Sequence, residues 1–342
     1  MSNAIIKFPI LGSDFKINPS TYFTVGTFRI YWYGVIIAVG FALAVFYAIR
    51  QAKKFGYDMD TVLDAVIIGV PSCVIGARLF YVINNFDAFK ASAWQKTLLN
   101  ILNIKNGGSA IYGGLLLVVI FEFLYCRKTK KSFLALMDLA SPALCIGSAV
   151  GRWGNFINRE LYGKTTRFIL RMGLDNGKKT VYVHPTFLYE SVWNLLGFVL
   201  LHFLRKKRKY DGQMFGVYVV WYGVGRVICE LLRDDSQSIF IGDTGFKASL
   251  VFGAVSIVAA LVFLWLYGAN QIGSKLYVDR LAEEKAAAEA VPEEETAPQN
   301  DGYVVLEEGV DENGNRFQYV EIEVEEDEEE NVSNPEETPV EK

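Results

Sequence analysis

Long apolar runs separated by short polar connections dominate the first 270 residues of the chain. A helix that crosses the hydrocarbon core of a bilayer needs about 20 predominantly apolar residues. The pattern therefore predicts an all-α fold, a polytopic membrane protein with about seven transmembrane helices, at 29–49, 60–83, 109–126, 133–152, 186–204, 212–232 and 246–268. A soluble helical protein would have to bury these runs although few of them show an amphipathic face, which argues against that alternative.

Basic residues follow every second predicted span. Arg50, Lys53 and Lys54 follow the first span, and the runs RKTKK at 127–131 and RKKRK at 205–209 follow the third and the fifth. Short connections that are rich in Lys and Arg stay on the cytoplasmic side of a membrane. We therefore expect the N-terminus outside and the C-terminus in the cytoplasm. The first residues lack a charged segment followed by an apolar core, so a cleavable signal peptide is not expected.

Charge divides the chain into two regions. Residues 281–342 contain 22 acidic and 3 basic residues, whereas the rest of the chain contains 16 acidic and 31 basic residues. We expect a transmembrane domain with outer-face loops at 1–270 and an acidic, largely disordered cytoplasmic tail at 271–342, with a small hairpin near 302–324. The positive charge of the first region follows the expected cytoplasmic loops, so it does not indicate nucleic-acid binding. Another hairpin is predicted around residues 175–177.

The four cysteines and two histidines offer little material for a metal centre. The cysteines lie far apart in apolar stretches, without CxxC spacing, at Cys73, Cys126, Cys145 and Cys229. These positions favour buried thiols in helices over a disulfide framework or a zinc site. The sequence therefore predicts no metal site.

Ionisable and polar residues gather where predicted spans meet the outer surface. The segment GRWGNFINRELYG, 151–163, follows the fourth span and contains Arg152, Asn155, Asn158, Arg159 and Glu160. On the sixth span, Arg226, Glu230 and Arg233 have the spacing i, i+4, i+7, which places them on one face of a helix. Arg78 lies near the outward end of the second span.

Such charges are costly at membrane depth and commonly mark function. A guanidinium presents a planar fork of donors and keeps its charge, so several arginines at one depth suit a phosphate. Glu230 would then orient Arg226. The alternative is a salt bridge that locks two helices together, and the spacing of Arg226 and Glu230 alone fits both interpretations.

Six motifs, in order, resemble those of the bacterial prolipoprotein diacylglyceryl transferases. The segment 151–163 is similar to the family signature. The other five motifs are RIYWYG (29–34), GARLFYV (76–82), SAIYGGL (109–115), HPTFLYE (184–190) and YGVGRVICELLR (222–233). Together they cover roughly residues 20–270, and the acidic tail lies outside the resemblance.

The resemblance implies a transferase of lipoprotein biosynthesis in the bacterial plasma (inner) membrane, with its active site toward the outer leaflet. Such an enzyme moves the diacylglyceryl group of phosphatidylglycerol to the thiol of the lipobox cysteine in a prolipoprotein signal peptide. The transfer forms a thioether and releases glycerol phosphate. The nucleophile is a thiolate and the leaving phosphate carries charge, which arginines can stabilise. No metal or organic cofactor is implied.

The resemblance also implies site residues. Arg152 and Arg226 would bind the lipid phosphate, and snorkelling of either side chain to the interface is the alternative. The expected substrate-binding set is completed by Asn155, Arg233 and Gly163. Further catalytic candidates are Asn155, Glu160, Glu230, Tyr33 and Tyr112. Glu160 would orient an arginine or accept a proton, and Tyr33 would bond the head group or belong to the interfacial aromatic belt.

Tyr112 departs from the family pattern, in which many members carry histidine in an HGG motif. Tyrosine, with a pKa near 10, is a poorer base than histidine at neutral pH. Three alternatives follow. Nearby arginines would favour a deprotonated Tyr112, Tyr112 would donate a hydrogen bond, or another group would remove the proton. His184 is one such group, although its position before a proline also fits a structural role in a loop. The sequence leaves the proton acceptor open.

Two other classes of function are compatible with parts of the sequence. A transporter or flippase for an anionic substrate predicts inverted repeats or helices broken at the membrane midplane. The sequence shows no convincing internal repeat. An inert scaffold that displays the acidic tail to a cytosolic partner would leave the costly arginine cluster without a use.

Overall fold

The computed structural model describes residues 4–12, 15–90, 93–103, 110–234, 247–269, 275–290, 303–310 and 316–322. These residues form the α-helices α1 (Trp32–Gln51), α2 (Met59–Asn84), α3 (Trp94–Leu102), α4 (Ile111–Lys128), α5 (Phe133–Asn158), α6 (Thr186–Leu204), α7 (Gln213–Leu232), α8 (Ala248–Ala269) and α9 (Tyr277–Ala290). A helix occupies most of each of the seven predicted spans, so the expectation of a mostly helical membrane fold is confirmed, although α1 begins at Trp32 and not at residue 29.

Within the described residues, six helices are long and apolar enough to cross a membrane, namely α1, α2, α5, α6, α7 and α8. The sequence predicted about seven spans. The other predicted span, 109–126, corresponds to α4. This helix has 18 residues, and these include Glu122, Arg127 and Lys128. Its apolar stretch is therefore shorter than that of the other six. Large apolar side chains such as Val255 and Trp265 are exposed on the outer surface of the helices, as contact with lipid requires.

Short strands accompany the helices. They are β1 (Ile5–Lys7), β2 (Lys16–Ile17), β3 (Tyr22–Val25), β4 (Phe28–Tyr31), β5 (Met172–Asp175), β6 (Thr180–Val183), β7 (Tyr303–Val310) and β8 (Arg316–Ile322). An antiparallel sheet has the order β2-β1-β5-β6, with Ile6 opposite Leu174, and β3 pairs with β4. The hairpin predicted around residues 175–177 is confirmed as β5–β6, with Gly177 at φ +83° in its turn. The sequence does not predict that the N-terminal strands pair with this hairpin.

The chain divides into two units, Met1–Glu283 and Glu284–Lys342. The first unit extends past residue 270, where the sequence places the end of the transmembrane domain, because the start of α9 packs against it. In the second unit, β7 and β8 pair in antiparallel fashion. The charged linker at 291–302 and the acidic end at 323–342 lie outside the described residues.

The helices of the first unit pack in successive pairs: α1 against α5, α5 against α6, α6 against α7 and α7 against α8, while α2 packs against α4. At the end that carries the basic connections, a buried core includes Phe55, Leu139, Leu201 and Met214. At the opposite end a second core forms beneath the sheet around Ile6. This second end brings together the last turns of α5, the first turns of α6 and the last turns of α7.

Candidate active site

The segment 151–163 forms the last two turns of α5 and the loop that follows. The helix ends at Asn158, and the C-cap residue Arg159, with a φ of +53°, turns the chain away from the helix axis. The loop then passes close to α6 and α7, and the Gly163 N–H donates to the His184 carbonyl at 2.9 Å. A Cβ at Gly163 would lie 2.6 Å from the His184 Cβ and 2.7 Å from the Leu232 carbonyl oxygen. Only glycine permits this approach, so Gly163 positions the loop between the two helices.

Glu190 lies at the centre of a cluster of ion pairs. Its Oε2 is 2.7 Å from Arg152 Nη2 and 3.6 Å from Arg226 Nη1. Its Oε1 accepts a hydrogen bond from Arg233 Nη2 at 2.9 Å. Glu190 belongs to α6, Arg152 to α5 and Arg226 to α7. A single carboxylate therefore joins three helices that the sequence separates by up to 74 residues.

Glu230 supplies the second carboxylate of the cluster. Its Oε2 is 3.2 Å from Arg226 Nη2 and 3.4 Å from Arg233 Nη1. Three arginines and two glutamates give a net charge of +1, which favours an anionic ligand. The side chain of Arg233 is only 4% exposed, whereas those of Arg152 and Arg226 are 18% and 21% exposed. Arg152 and Arg226 are therefore the arginines that a ligand can reach, and Arg233 supports them from inside the protein.

Two stacked indoles hold α6 and α7 together beside this cluster. The rings of Trp193 and Trp221 lie with their centroids 4.4 Å apart. The Nε1–H of each donates to the backbone carbonyl of the other, at 2.9 Å and 3.0 Å. These reciprocal bonds fix the separation of the helices that carry Glu190 and Arg226, so the ion pairs are held in a set geometry.

The side chains of the signature segment also bind one another. Asn155 and Asn158 both donate through Nδ2 to Glu160 Oε1, at 2.9 Å and 3.3 Å. Asn155 is buried and Glu160 is exposed. An ion pair between Glu160 and an arginine, the first of its two expected roles, is not found among the described residues. Proton acceptance by Glu160 stays a prediction.

Tyr33, the candidate on α1, packs against the same turn of α5. A Cβ at Gly154 would lie 2.7 Å from Tyr33 Cδ2 and 3.1 Å from its Cε2. The tyrosine is 37% exposed. This contact places Tyr33 beside the turn that carries Arg152 and Asn155.

Tyr112 lies at the start of α4, against α8. Its ring centroid is 4.8 Å from that of Phe252, and the residue is 40% exposed. Its hydroxyl has no hydrogen-bond partner in the described part of the chain. The structure therefore does not bring Tyr112 into contact with the arginine cluster, and its catalytic role stays a prediction.

Two other arginines that the sequence places at this depth serve the fold instead of the cluster. The Arg78 guanidinium caps the end of α3 by donating to the carbonyls of Asn100, Ile101 and Asn103 at 2.8–2.9 Å. The buried Arg159 ties the N-terminal segment to the end of α5 by donating to Ala4 O, Asn18 Oδ1 and Pro19 O at 2.8–2.9 Å. Among the described residues, the acceptors of both guanidinium groups are amide oxygens of the surrounding loops and helix ends, which need donors where they are buried.

His184 is held in the loop before α6. Its Nδ1 is 3.3 Å from the hydroxyl oxygen of Tyr189, and its backbone carbonyl accepts the bond from Gly163. Burial lowers the pKa of His184 below its ordinary value, so the neutral imidazole is favoured at physiological pH. These contacts fit the structural role in the loop, and the identity of the proton acceptor stays open.

Three residues that were not predicted as site residues from the sequence line a small cleft between α6 and α7 next to Arg226. They are Glu190, Asn194 and Tyr222. Asn194 Nδ2 donates to the Glu190 carbonyl at 2.7 Å, and its Oδ1 is buried without a partner among the described residues. One signal could have identified Glu190: it is an ionisable residue one turn inside a predicted span, where a charge needs a partner.

The described residues do not gather a metal site, since no group of three or more His, Cys, Asp or Glu side chains among them could hold an ion. Among the same residues Cys126, Cys145 and Cys229 are buried free thiols, and Cys73 is an exposed one.

Helices long and apolar enough to cross a membrane, with arginines and carboxylates clustered at one end, define a polytopic membrane protein whose ion-pair cluster has a net positive charge. The family model described as prolipoprotein diacylglyceryl transferase matches residues 20–266. The chain is 39% identical over 251 residues to the phosphatidylglycerol--prolipoprotein diacylglyceryl transferase of Streptococcus uberis, covering 71% of this chain and 92% of that protein. It is 39% identical over 250 residues to the protein of the same name from Bacillus mycoides, covering 70% of this chain and 88% of that protein. The chain therefore belongs to the prolipoprotein diacylglyceryl transferase family.

Proposed function

We propose that this chain transfers the diacylglyceryl group of phosphatidylglycerol to the thiol of a lipobox cysteine in a prolipoprotein. This reaction is the first step of bacterial lipoprotein maturation. The observation that carries the proposal is the pairing of Arg152 and Arg226, from separate helices, on one oxygen of Glu190. Two partly exposed guanidinium groups held this close suit a single phosphate.

The transfer is a displacement at the glycerol carbon that bears the phosphate. The sulfur of the substrate cysteine forms a C–S bond to that carbon, the C–O bond to phosphate breaks, and glycerol phosphate leaves with the electron pair. The thiol must lose its proton, because the thiolate is the nucleophile and a free thiol has a pKa of about 8.5. Charge grows on the leaving phosphate, and preorganised guanidinium groups stabilise it more in the transition state than in the ground state.

In this proposal the residues of the cluster have separate tasks. Arg152 and Arg226 bind the phosphate, while Glu190 and Glu230 hold their guanidinium groups in place. The buried Arg233 keeps the two carboxylates paired and balances their charge. Asn155 and Tyr33 would contact the glycerol head group beside the phosphate, and Gly163 supports the loop that closes this end of the bundle.

The direction of the chain in the membrane follows from its basic connections. They lie at the end of the bundle opposite the arginine cluster, and by the positive-inside rule this supports a cluster that faces the outer leaflet of the bacterial inner membrane. In this arrangement α4 also crosses the bilayer, and the N-terminal and C-terminal ends of the membrane region lie on opposite sides. Phosphatidylglycerol and the signal peptide of the precursor would both reach the site from the bilayer.

A transfer assay with the purified chain, phosphatidylglycerol and a lipobox peptide tests the proposal. We expect a peptide whose mass increases by one diacylglyceryl group, together with released glycerol phosphate. Arg152→Ala and Arg226→Ala should each abolish the product while the protein stays folded. Lysine at either position should be a poor substitute, because an ammonium group lacks the planar fork of donors. A transporter or a scaffold would give neither product, and retained activity in both alanine variants would contradict the phosphate assignment.

A further inference from the structure

A second cluster of cations lies at the far end of α6, where α1 also ends. A cavity of about 270 Å³ is lined there by Lys54, Phe55, Arg205 and Lys206. Along α6, Arg205 follows Glu190 by 15 residues, which corresponds to roughly 22 Å at the rise of an α-helix. The cavity is therefore separate from the candidate active site and lies near the opposite surface of the bilayer.

In the part of the chain that the structure describes, two cations of this cavity, Lys54 and Arg205, have neutral partners. Arg205 donates to Gln51 Oε1, and its Nη2 is 3.2 Å from His202 Nε2. Lys54 Nζ also donates to Gln51 Oε1, at 3.0 Å. Within the described residues, no carboxylate lies within salt-bridge distance of Lys54, Arg205 or Lys206. Lys54 and Arg205 thus share the neutral Gln51, and the positive charges that line the cavity are available to an anion.

Arg208, in the same basic run, shows the opposite arrangement. Its guanidinium is buried, lies 3.7 Å from Asp138 Oδ2 and 3.8 Å from Asp211 Oδ1, and covers the ring of Phe55 at 4.2 Å. The run from 205 to 209 therefore contains one arginine that the fold has paired and two cations that face a cavity. The general preference for positive charge on the cytoplasmic side of a membrane predicts that this run is basic. It does not predict that one arginine is buried in ion pairs while two other cations line a cavity.

The surroundings of the cavity favour a lipid as its ligand. Phe46 on α1 and Phe203 on α6 are 56% and 63% exposed and lie on the stretches just before the cationic helix ends. Apolar side chains at this level contact acyl chains, whereas cations at the helix ends meet head groups. We infer that the cavity binds the phosphate of an anionic phospholipid from the leaflet at this end, which is the cytoplasmic leaflet in the proposed topology.

Two triple variants of the full chain, with the same loss of charge, test this inference. The first removes the cations of the cavity: Lys54→Gln, Arg205→Gln and Lys206→Gln. The matched control removes three exposed cations of the same two segments that do not line the cavity: Lys53→Gln, Lys207→Gln and Lys209→Gln. Native mass spectrometry in detergent would count bound phosphatidylglycerol during a titration, with zwitterionic phosphatidylcholine as the comparison lipid.

We expect two specifically bound phosphatidylglycerol molecules in the wild-type chain and in the control, and one in the cavity variant. The lost lipid should bind about a hundredfold more weakly, because three cations near its phosphate are gone. Transfer activity in detergent should be unchanged in the cavity variant, which also shows that it is folded. Equal dissociation constants for both lipids in the two triple variants would overturn the inference.

Further variants and additions in the same titration distinguish lipid binding in the cavity from lipid binding at the active site and from binding of other anions. Arg226→Gln should lose the other lipid and keep the one in the cavity, and failure of that variant alone would count against the proposed function only. A chain ending at Ala290 can be compared with the full chain in the same titration. If the shortened chain binds a second lipid and the full chain does not, the acidic tail and not a lipid is the ligand of the cavity, and the inference is overturned. Displacement of the lipid by millimolar inorganic phosphate would overturn it in favour of a free-anion site.

Discussion

Arg152 of α5 and Arg226 of α7 share one oxygen atom, Oε2 of Glu190, at 2.7 Å and 3.6 Å. The side-chain carboxylate of Glu190 therefore sets the distance between the two guanidinium groups before any substrate binds. Preorganisation of this kind avoids the cost of moving charges during the reaction.

Glu190→Gln tests whether the carboxylate positions the arginines. The substitution keeps the shape of the side chain but, within the described part of the chain, leaves Glu230 as the counter-charge that pairs with this arginine cluster. Breaking a buried ion pair on one side commonly costs about 3 kcal/mol or more. We expect a lower unfolding temperature in detergent and a loss of transfer activity larger than the loss of folded protein explains.

A suitable control is Glu283→Gln, which removes an exposed carboxylate paired with Lys275. Surface ion pairs contribute little, so this variant should match the wild-type chain in both measurements. Wild-type activity in Glu190→Gln would show that the arginines do not need the shared carboxylate.

Gly154→Ala tests the contact between α5 and Tyr33. The added methyl group would lie 2.7 Å from the tyrosine ring, so either the ring or the helix must move. We expect transfer activity to fall by about tenfold or more, since small displacements of catalytic groups have large effects on rate. Gly34→Ala is the matched control on the neighbouring position of α1, because an added Cβ there meets no atom within 4 Å. That variant should keep its activity, and equal losses in both would point to a general effect on α1.

Much of the helical part of the fold is predictable from the sequence because each span is a local property. A stretch such as 133–152 must be a helix in lipid, where every backbone group needs a partner within its own segment. Strand pairing is different. Ile6 lies opposite Leu174, and no local pattern in strands of three and four residues specifies a partner 168 residues away.

The candidate site divides in the same way. Arg226, Glu230 and Arg233 are recognisable together because helical spacing places them on one face. Glu190 is not recognisable as their partner, since its role depends on how α6 packs beside α5 and α7. The burial of Arg233 and the use of Arg78 to cap α3 are likewise products of packing, and only the fold distinguishes them from the accessible arginines.

Tyr112→Phe tests the phenol as the proton acceptor. In the part of the chain that the structure describes, the hydroxyl has no partner and the ring packs on Phe252. We therefore expect near-normal turnover from phosphatidylglycerol in the phenylalanine variant, with Tyr112→Leu as the control for loss of aromatic packing. A severe loss in Tyr112→Phe with normal folding would return the phenol to the mechanism.

Two truncations separate the start of α9 from the acidic tail. The Tyr277 N–H donates to Asp211 Oδ2 at 3.0 Å, and the Tyr277 ring lies 5.4 Å from that of Tyr57. A chain ending at Ala290 keeps these contacts and should match the full chain in unfolding temperature and activity. A chain ending at residue 274 leaves the buried Asp211 carboxylate without this donor, at a cost of about 1–3 kcal/mol. It should unfold at a lower temperature, and equal stability of the two truncations would contradict a structural role for α9.

The most direct test of the central claim is the position of the phosphate in a structure of the wild-type chain with phosphatidylglycerol bound and no peptide substrate present. We expect the phosphorus atom within about 5 Å of the guanidinium carbons of both Arg152 and Arg226, as bidentate Arg–phosphate contacts require. A phosphate bound by only one of these arginines, or a head group bound elsewhere while both stay paired with Glu190, would contradict it.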